Sequence, residues 1–476
     1  MGSFRISNSN FSDLRRRIKG QVFTPSDSGF NDIAFGGLWN ELRPDRHPQL
    51  IVRVVNDNDV IETVNFARSN GIKVVVRGGG HNWCAPSLRN SGIMIDLTNL
   101  NQVVSIDPDA RKAVVQPIIS NREMIKYLSK YNLAYPTGHC PEVKLSGYLL
   151  GGGMSWNQGE WGSGTGSVEA IEMVTADGRL ITASKDQNTD YFWAARGAGP
   201  GLFAVALRYH LKLYPLPKAI TTSIYYYPME NLVEVADWLG SVAHRLPNNV
   251  ELSFFLLNAP AEIVDKCKAS NGKVSMITAT MFAETPDEAK AGLGILEKCP
   301  LLSKCIKKDV CKPTTFEQLF DASGVLWPAH LRNTVDAMFS NATLPEIFGS
   351  VRDHFKASPS NLTVLLYAVF TGENVPAKLP DAAFSMTAKF YGGPWTMWEK
   401  AADDKANIAW HRKCVDLLEP HMMGHYVSES NTVQFPEYLE KAYSKSNLQR
   451  LTELRKKYDP TGVFFAYSDG LTANDP

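Results

Sequence analysis

The sequence predicts an α+β protein, and three observations carry that reading. The first is a compact strand–helix–strand unit near the N-terminus, Gln49–Val76. The second is a middle stretch, about Lys218–Glu419, in which aromatic-rich strand patterns alternate with helical ones. The third is a set of glycine-rich blocks placed between strands and helices, as ligand-cradling loops are.

Each element follows from its pattern. "QLIVRVV" (Gln49–Val55) reads as a buried strand. The helix after it is capped by Asn56 or Asn58, carries Val60, Ile61, Val64 and Ala67 on one face, and ends at Gly71. "IKVVV" (Ile72–Val76) is the next strand, followed by strands in Gly92–Leu100 and Lys112–Ile118. Ser120 and Glu123 stand in capping-box spacing before a helix whose apolar face is Met124, Ile125 and Leu128. "VEAIEMVTADGRLITA" is a hairpin turned at Asp177-Gly178, and Ala204–Leu213 is an alternating strand. Pro215 and Pro217 then mark a unit boundary. In the middle stretch "TTSIYYYP", "VELSFFLLN", "KVSMITATMF", "TVLLYAVF" and "FSMTAKFYGG" read as strands of an antiparallel sheet, and "DEAKAGLGILEK" as a flanking helix. The tail carries the helix "NLQRLTELRKKYDP" between short motifs.

Composition narrows the function. The chain has 476 residues with 49 basic and 49 acidic side chains and a pI near 7.1, which gives no basic footprint for nucleic acid or a membrane surface. No apolar run is long enough to span a bilayer, and "MGSFRISNSNFSDLRRR" has no apolar core of a secretory signal, so a cytoplasmic location is expected, with a mature secreted form as the alternative. A small-molecule partner remains. Seven cysteines, an odd number without a CxxC pair, argue against a disulfide framework and against a zinc ribbon.

Chemistry concentrates in two segments. In "VVVRGGGHNWC" (Val74–Cys84) the glycines allow close backbone approach to a diphosphate and Arg77 can offset its charge. The loop lacks the P-loop Lys-Ser/Thr and the spacing of a dinucleotide Rossmann turn. "GHC" (Gly138–Cys140) adds a second His and Cys among glycines. Three readings follow. His81, Cys84, His139 and Cys140 could ligate a metal, although adjacent His139-Cys140 is an awkward tetrahedral pair. A Cys–His nucleophilic pair is a second reading. In the third, both segments line one large, flat, phosphorylated cofactor and attach to it through reactive side chains, with "SGYLLGGGMSW" as a further close-approach segment.

The motifs "VVVRGGGHNW", "PTGHCPEV…SGYLLGGG", "VTADGRL", "YFWAARGAGPG", "GGPWTMWEKAADDKANIAW", "GHYV" and "KKYDPTGVF", in that order from about Pro48 to Phe465, resemble the berberine-bridge-enzyme-like flavoproteins of the vanillyl-alcohol-oxidase (PCMH-type FAD) superfamily. The resemblance implies an FAD-binding PCMH-type domain (residues 1–213), a substrate domain on an antiparallel sheet flanked by helices (214–417), and a C-terminal segment completing the FAD domain (418–476). It implies FAD bonded to His81 at the 8α methyl and to Cys140 at C6, a diphosphate held by Arg77, Gly78, Gly79 and Gly80, and close approach to the flavin and ribityl chain by Ser146, Gly147, Gly151, Gly152 and Gly153. Ile171 would meet the adenine through its backbone. Val143 borders the flavin face where valine goes with oxidase behaviour. No metal is implied.

The chain departs from the family pattern in three places. Lys144 and Leu145 stand where small residues are common. Where many members read Tyr-x-Asn-Tyr, this chain reads Tyr426-Val427-Ser428-Glu429, so Ser428 replaces the asparagine at the flavin pyrimidine and Glu429 replaces the tyrosine base. Glu429 and Tyr391 are the base candidates, beside Tyr426. The expected activity is oxidation of an alcohol, sugar, amine or alkaloid by hydride transfer to flavin, with O2 giving H2O2. The expected protein is a monomer or weak homodimer, and "IYYY" would suit a ring-bearing substrate. The rivals are a redox-neutral flavin scaffold and, further off, a metal-binding protein.

Overall fold

The computed structural model describes residues 8–372, 375, 379–467 and 469. The first unit opens with β1 (Gln21–Phe23), β2 (Leu50–Arg53), β3 (Val74–Arg77) and β4 (Ile93–Asp96) in the order β1-β2-β4-β3. β4 is parallel to both of its neighbours, so the early strand–helix–strand unit leaves a gap that a later strand fills. The helix Asp57–Ser69 covers this sheet, capped by the Asn56 side chain accepting from the Asp59 amide. A second, antiparallel sheet follows from β5 (Val103–Asp107), β6 (Lys112–Val115), β8 (Val168–Thr175), β9 (Leu180–Ser184) and β10 (Ala204–Lys212), with β7 (Leu133–Ala134) and β11 (Tyr214–Pro215) pairing alongside as a short ribbon. The Ser120–Glu123 capping box is present as expected.

Among the described residues the second unit is one nine-stranded antiparallel sheet. Its strands are β12 (Ala219–Pro228), β13 (Val250–Asn258), β14 (Lys273–Ala283), β15 (Lys307–Thr314), β16 (Arg332–Val335), β17 (Met338–Ser340), β18 (Val364–Val369), β19 (Phe390–Trp398) and β20 (Gly424–His425). Helices Leu232–Val242, Leu344–Lys356 and Asp404–Leu418 pack on one face, against Phe254, Leu256, Ile277 and Tyr367. Each such large apolar side chain removed from water contributes about 1.5–3 kcal/mol. The opposite face turns toward the first unit.

Two expectations shift. The strand expected over 384–393 begins only at Phe390 and runs on to Trp398, because the amides of Ala383 and Phe384 are spent on the carbonyls of Trp193 and Arg196 in the first unit. Gly392 and Gly393 then let β19 lie close to its neighbours: a Cβ on either would fall 1.9 Å from the Leu366 oxygen or 2.0 Å from the Asp336 oxygen. The chain also stays in the large sheet until His425, past the boundary expected at 418, since β20 pairs with β17. It then returns to the first unit. There the Val74 amide donates to the Val463 carbonyl at 2.7 Å and the Phe465 amide donates to the Val74 carbonyl at 3.0 Å.

Candidate active site

A cavity of about 430 Å3 lies where the two units meet. Four stretches of chain build its chemical wall.

The first is the loop after β3. Gly80 adopts φ +67°, and a Cβ there would fall 1.8 Å from the Gly37 oxygen, so glycine is needed both for the turn and for the close approach. Gly78 and Gly79 line the cavity and pack on Ser146 and Lys144 of the second segment. His81 follows, its ring stacked on Trp39 at 4.8 Å. Burial pushes the imidazole down to about 4, so it is neutral, and among the described residues its buried Nε2 has no hydrogen-bond partner. Arg77 does not do what its motif suggests. Its guanidinium is buried and faces away, donating to the Ile33 and Ala34 carbonyls and pairing with Asp96 at 2.8 Å. Its charge is thus paired inside the first sheet, where Asp96 also meets Arg53, and its side chain does not line the cavity.

The second stretch is Gly138–Gly147, held by the Asn121 side chain donating to the Cys140 carbonyl and the Asn121 amide donating to the Val143 carbonyl. Cys140, Val143, Ser146 and Gly147 all reach the cavity. Burial, reinforced by the facing carboxylates Glu429 and Glu142, pushes the Cys140 thiol up to about 12. Gly151, Gly152 and Gly153 sit one layer behind the wall rather than on it. A Cβ on Gly151 would fall 1.8 Å from the Ser428 hydroxyl oxygen, and one on Gly152 2.7 Å from the Phe384 ring, while the Gly153 amide donates to the Tyr426 hydroxyl at 3.2 Å. These glycines let the C-terminal loop dock. Ile171 is likewise off the wall, fully buried in β8 and paired with Tyr209 and Ala183. Its backbone serves the sheet.

The third stretch is the free face of the large sheet. Directly opposed residues share a face. The pairings Thr222↔Thr280, Ile224↔Thr278, Thr280↔Glu251, Thr278↔Ser253, Ser253↔Ala368 and Ala368↔Tyr391 therefore trace one continuous surface across β12, β14, β13, β18 and β19, and all of these residues line the cavity. The tyrosines of "IYYY" are not part of it. Tyr225 and Tyr227 point to the helix-covered core, and Tyr226 lies beyond the cavity beneath Lys307.

The fourth stretch is the loop Tyr426–Asn431. It is clamped to the turn between β16 and β17: the Tyr426 amide and the Ser430 hydroxyl donate to the Ala337 carbonyl, the Ala337 amide donates to the Glu429 carbonyl, and the Asn431 amide donates to Asp336 at 2.9 Å. Asp336 is fully buried. Burial alone would raise its carboxyl, but hydrogen bonds and charge from His411 and Arg412 outweigh it and hold the group down at about 2. This loop presents Ser428 and Glu429 to the cavity, and Asn82 donates to the Ser428 carbonyl at 2.7 Å. The Tyr391 hydroxyl donates to the Glu429 carboxylate. Burial raises the Glu429 carboxyl above its ordinary range, against the lowering effects of Tyr391 and the His139 charge.

The structure thus brings His81, Cys140, Val143, Ser428, Glu429, Tyr391 and Tyr426 to one cavity. These residues suit a flavin dinucleotide. An orphaned imidazole nitrogen and a thiol stand on the same wall, and glycines open that wall to a flat group. A metal is a poorer match, since among the described residues no three His, Cys, Asp or Glu side chains group as a metal would need. Cys84 belongs to the packing, its sulfur toward the Ser430 carbonyl at 3.9 Å. Sequence reasoning missed Glu251, which bonds His139, and weighed His139 only as a metal ligand. The available signal was a single carboxylate inside the apolar strand "VELSFF".

An FAD binding domain model matches residues 48–184, and a berberine and berberine-like model matches 425–467. The FAD-linked oxidoreductase nodO of Hypoxylon pulicicidum is 26% identical over 430 residues, 89% of this chain and 91% of its own. The (R)-6-hydroxynicotine oxidase of Paenarthrobacter nicotinovorans is 35% identical over 201 residues, 42% of this chain and 43% of its own. Among solved structures, 6-hydroxy-D-nicotine oxidase from Arthrobacter nicotinovorans superposes with a TM-score of 0.81 at 21% identity, covering 95% of this chain and 98% of that one, which shows the shared fold. Among the described residues no helix is long and apolar enough to cross a membrane.

Proposed function

Because the chain is an FAD-linked oxidoreductase of the berberine-like family, we propose that it is an oxidase of a small organic substrate, acting at a C–H bond beside an OH or N. Alcohols, sugars and amines, alkaloids among them, fit that description. One observation carries the reading: a buried carboxylate, Glu429, hydrogen-bonded by Tyr391, faces the same cavity as His81 and Cys140. When bound, FAD supplies the ring that accepts a hydride and passes two electrons to O2 as H2O2.

The chain supplies the rest. Glu429 takes the proton from the substrate O–H or N–H, and Tyr391 fixes the carboxylate so that one oxygen stays free for it. The sheet face positions the substrate, with the hydroxyls of Thr222, Thr278, Thr280 and Ser253 along it. His81 and Cys140 are the residues that would hold FAD covalently. His81 is neutral and so has a lone pair to give; Cys140 must first lose its proton, and Glu429 is a carboxylate that faces it. Val143, on the wall beside Cys140, supports O2 as acceptor. A flavin scaffold that has lost its base is less well supported, since Glu429 and Tyr391 meet in the cavity.

Anaerobic mixing with a panel of alcohols, sugars and amines tests this reading: one class should bleach the flavin, and readmitted air should restore the colour with H2O2. A coloured protein that no class bleaches would sink it. Attachment has its own test, the mass of the denatured chain. His81→Ala and Cys140→Ala should each retain FAD through the remaining bond, and the double variant should release it.

A further inference from the structure

Glu251 is a second carboxylate on the cavity wall, and the reading above gives it no task. Both of its oxygens are engaged by the first unit. One bonds the His139 ring at Nε2, and the other accepts from the Asn157 amide at 3.0 Å. The carboxylate is thus not free to take a substrate proton. It is placed to fix a charge instead. His139 rests on the Trp156 ring at 4.2 Å, and although burial opposes its charged form, Glu251 outweighs this and raises its proton affinity.

Tyr391 on β19, Tyr426 on the loop of Glu429, and His139 and Cys140 on the Gly138–Gly147 segment line the same cavity as Glu429, as do Glu251 on β13, His81 and Lys144. Lys144 is paired with Glu123 at 3.6 Å and burial keeps His81 neutral, so His139 is the group whose positive charge acts on the Glu429 carboxyl. A positive charge facing a buried carboxylate favours its ionised form. We propose that His139, held as an imidazolium by Glu251, is a positioning residue that keeps Glu429 ionised in its buried seat and so extends the working range of the base to lower pH. The inference rests on the reading of Glu429 as the base. It also makes the cavity's electrostatics depend on the docking of two units, since His139 and Glu251 come from different ones.

The test is an infrared pH titration of the holoenzyme, with no substrate added. The band of protonated Glu429 is isolated by subtracting the spectrum of Glu429→Gln. In His139→Gln, and independently in Glu251→Gln, the band should persist to higher pH by about half a unit or more, a threefold change in proton affinity. Glu251→Gln keeps an oxygen for the Asn157 amide, so it carries the test should His139→Gln not fold. A midpoint equal to the wild type in a folded variant overturns the proposal and leaves the pair as a clamp between units. The base reading fails separately, if Glu429→Gln reduces the flavin at the wild-type rate.

Discussion

Glu429→Gln is expected to slow substrate-driven flavin reduction by about 10²–10⁴-fold, the usual contribution of a positioned general base. Gln preserves the volume of the side chain and an oxygen to accept from Tyr391, so the cavity keeps its shape and loses only the proton acceptor. The pH dependence sharpens the test. Because burial raises the Glu429 carboxyl above its ordinary range, the wild-type rate should climb as pH rises through that displaced titration. The variant should lack this limb. Stability should move the other way. A carboxyl whose folded proton affinity is raised contributes stability that is full below its unfolded value of 4.5 and lost as pH rises through the folded one. At neutral pH the variant is spared the burial of a charge, so its melting temperature should equal or exceed the wild type's. Unchanged reduction rates would remove Glu429 as the base and leave Tyr391 as the remaining candidate.

Asp336→Asn is expected to destabilise the protein by about 3 kcal/mol, since it leaves buried charge uncompensated. Asp336 gathers donors from three directions: His411, Arg412 and the Asn431 amide. His411 bonds Asp336 at its Nε2 and Thr396 at its Nδ1, the latter at 2.8 Å, while burial lowers its proton affinity. The sign of the pH effect follows from the depressed Asp336 value. Its stabilisation is present above the unfolded value of 3.8 and is lost as pH falls from there through about 2. Thermal melts should therefore show the gap between wild type and variant closing over that acid range. Flavin reduction should suffer as well, because the loop that carries Glu429 hangs from Asp336 and Ala337. A variant that melts with the wild type at neutral pH would refute this account.

Local pattern made much of the molecule legible. Asn56 and Ser120 cap the helices their spacing announced, because capping depends on residues three apart. His81 and Cys140 stood out as reactive side chains among glycines, the family resemblance singled them out, and the structure sets both on one cavity. What pattern could not show was direction. Arg77 follows a strand into a glycine loop, yet its partner Asp96 lies on a neighbouring parallel strand, and a pairing across strands leaves no local trace. Alternation in "IYYY" separated two faces without saying which would be covered by helices. The His139–Glu251 bond spans two units and 112 positions, so it exists only once both have folded and docked.

The large sheet has a consequence for how such a protein changes over time. Successive residues of a strand belong to opposite faces, so the positions that touch a ligand and those that grip the helices alternate along the same chain. Thr222, Thr278, Ser253 and Ala368 could be exchanged with little effect on Tyr225, Ile277, Leu252 or Tyr367 behind them. Selectivity and folding are thereby written into separate sets of residues. A lineage built on this sheet can explore new chemistry on one side while selection for solubility and folding acts on the other.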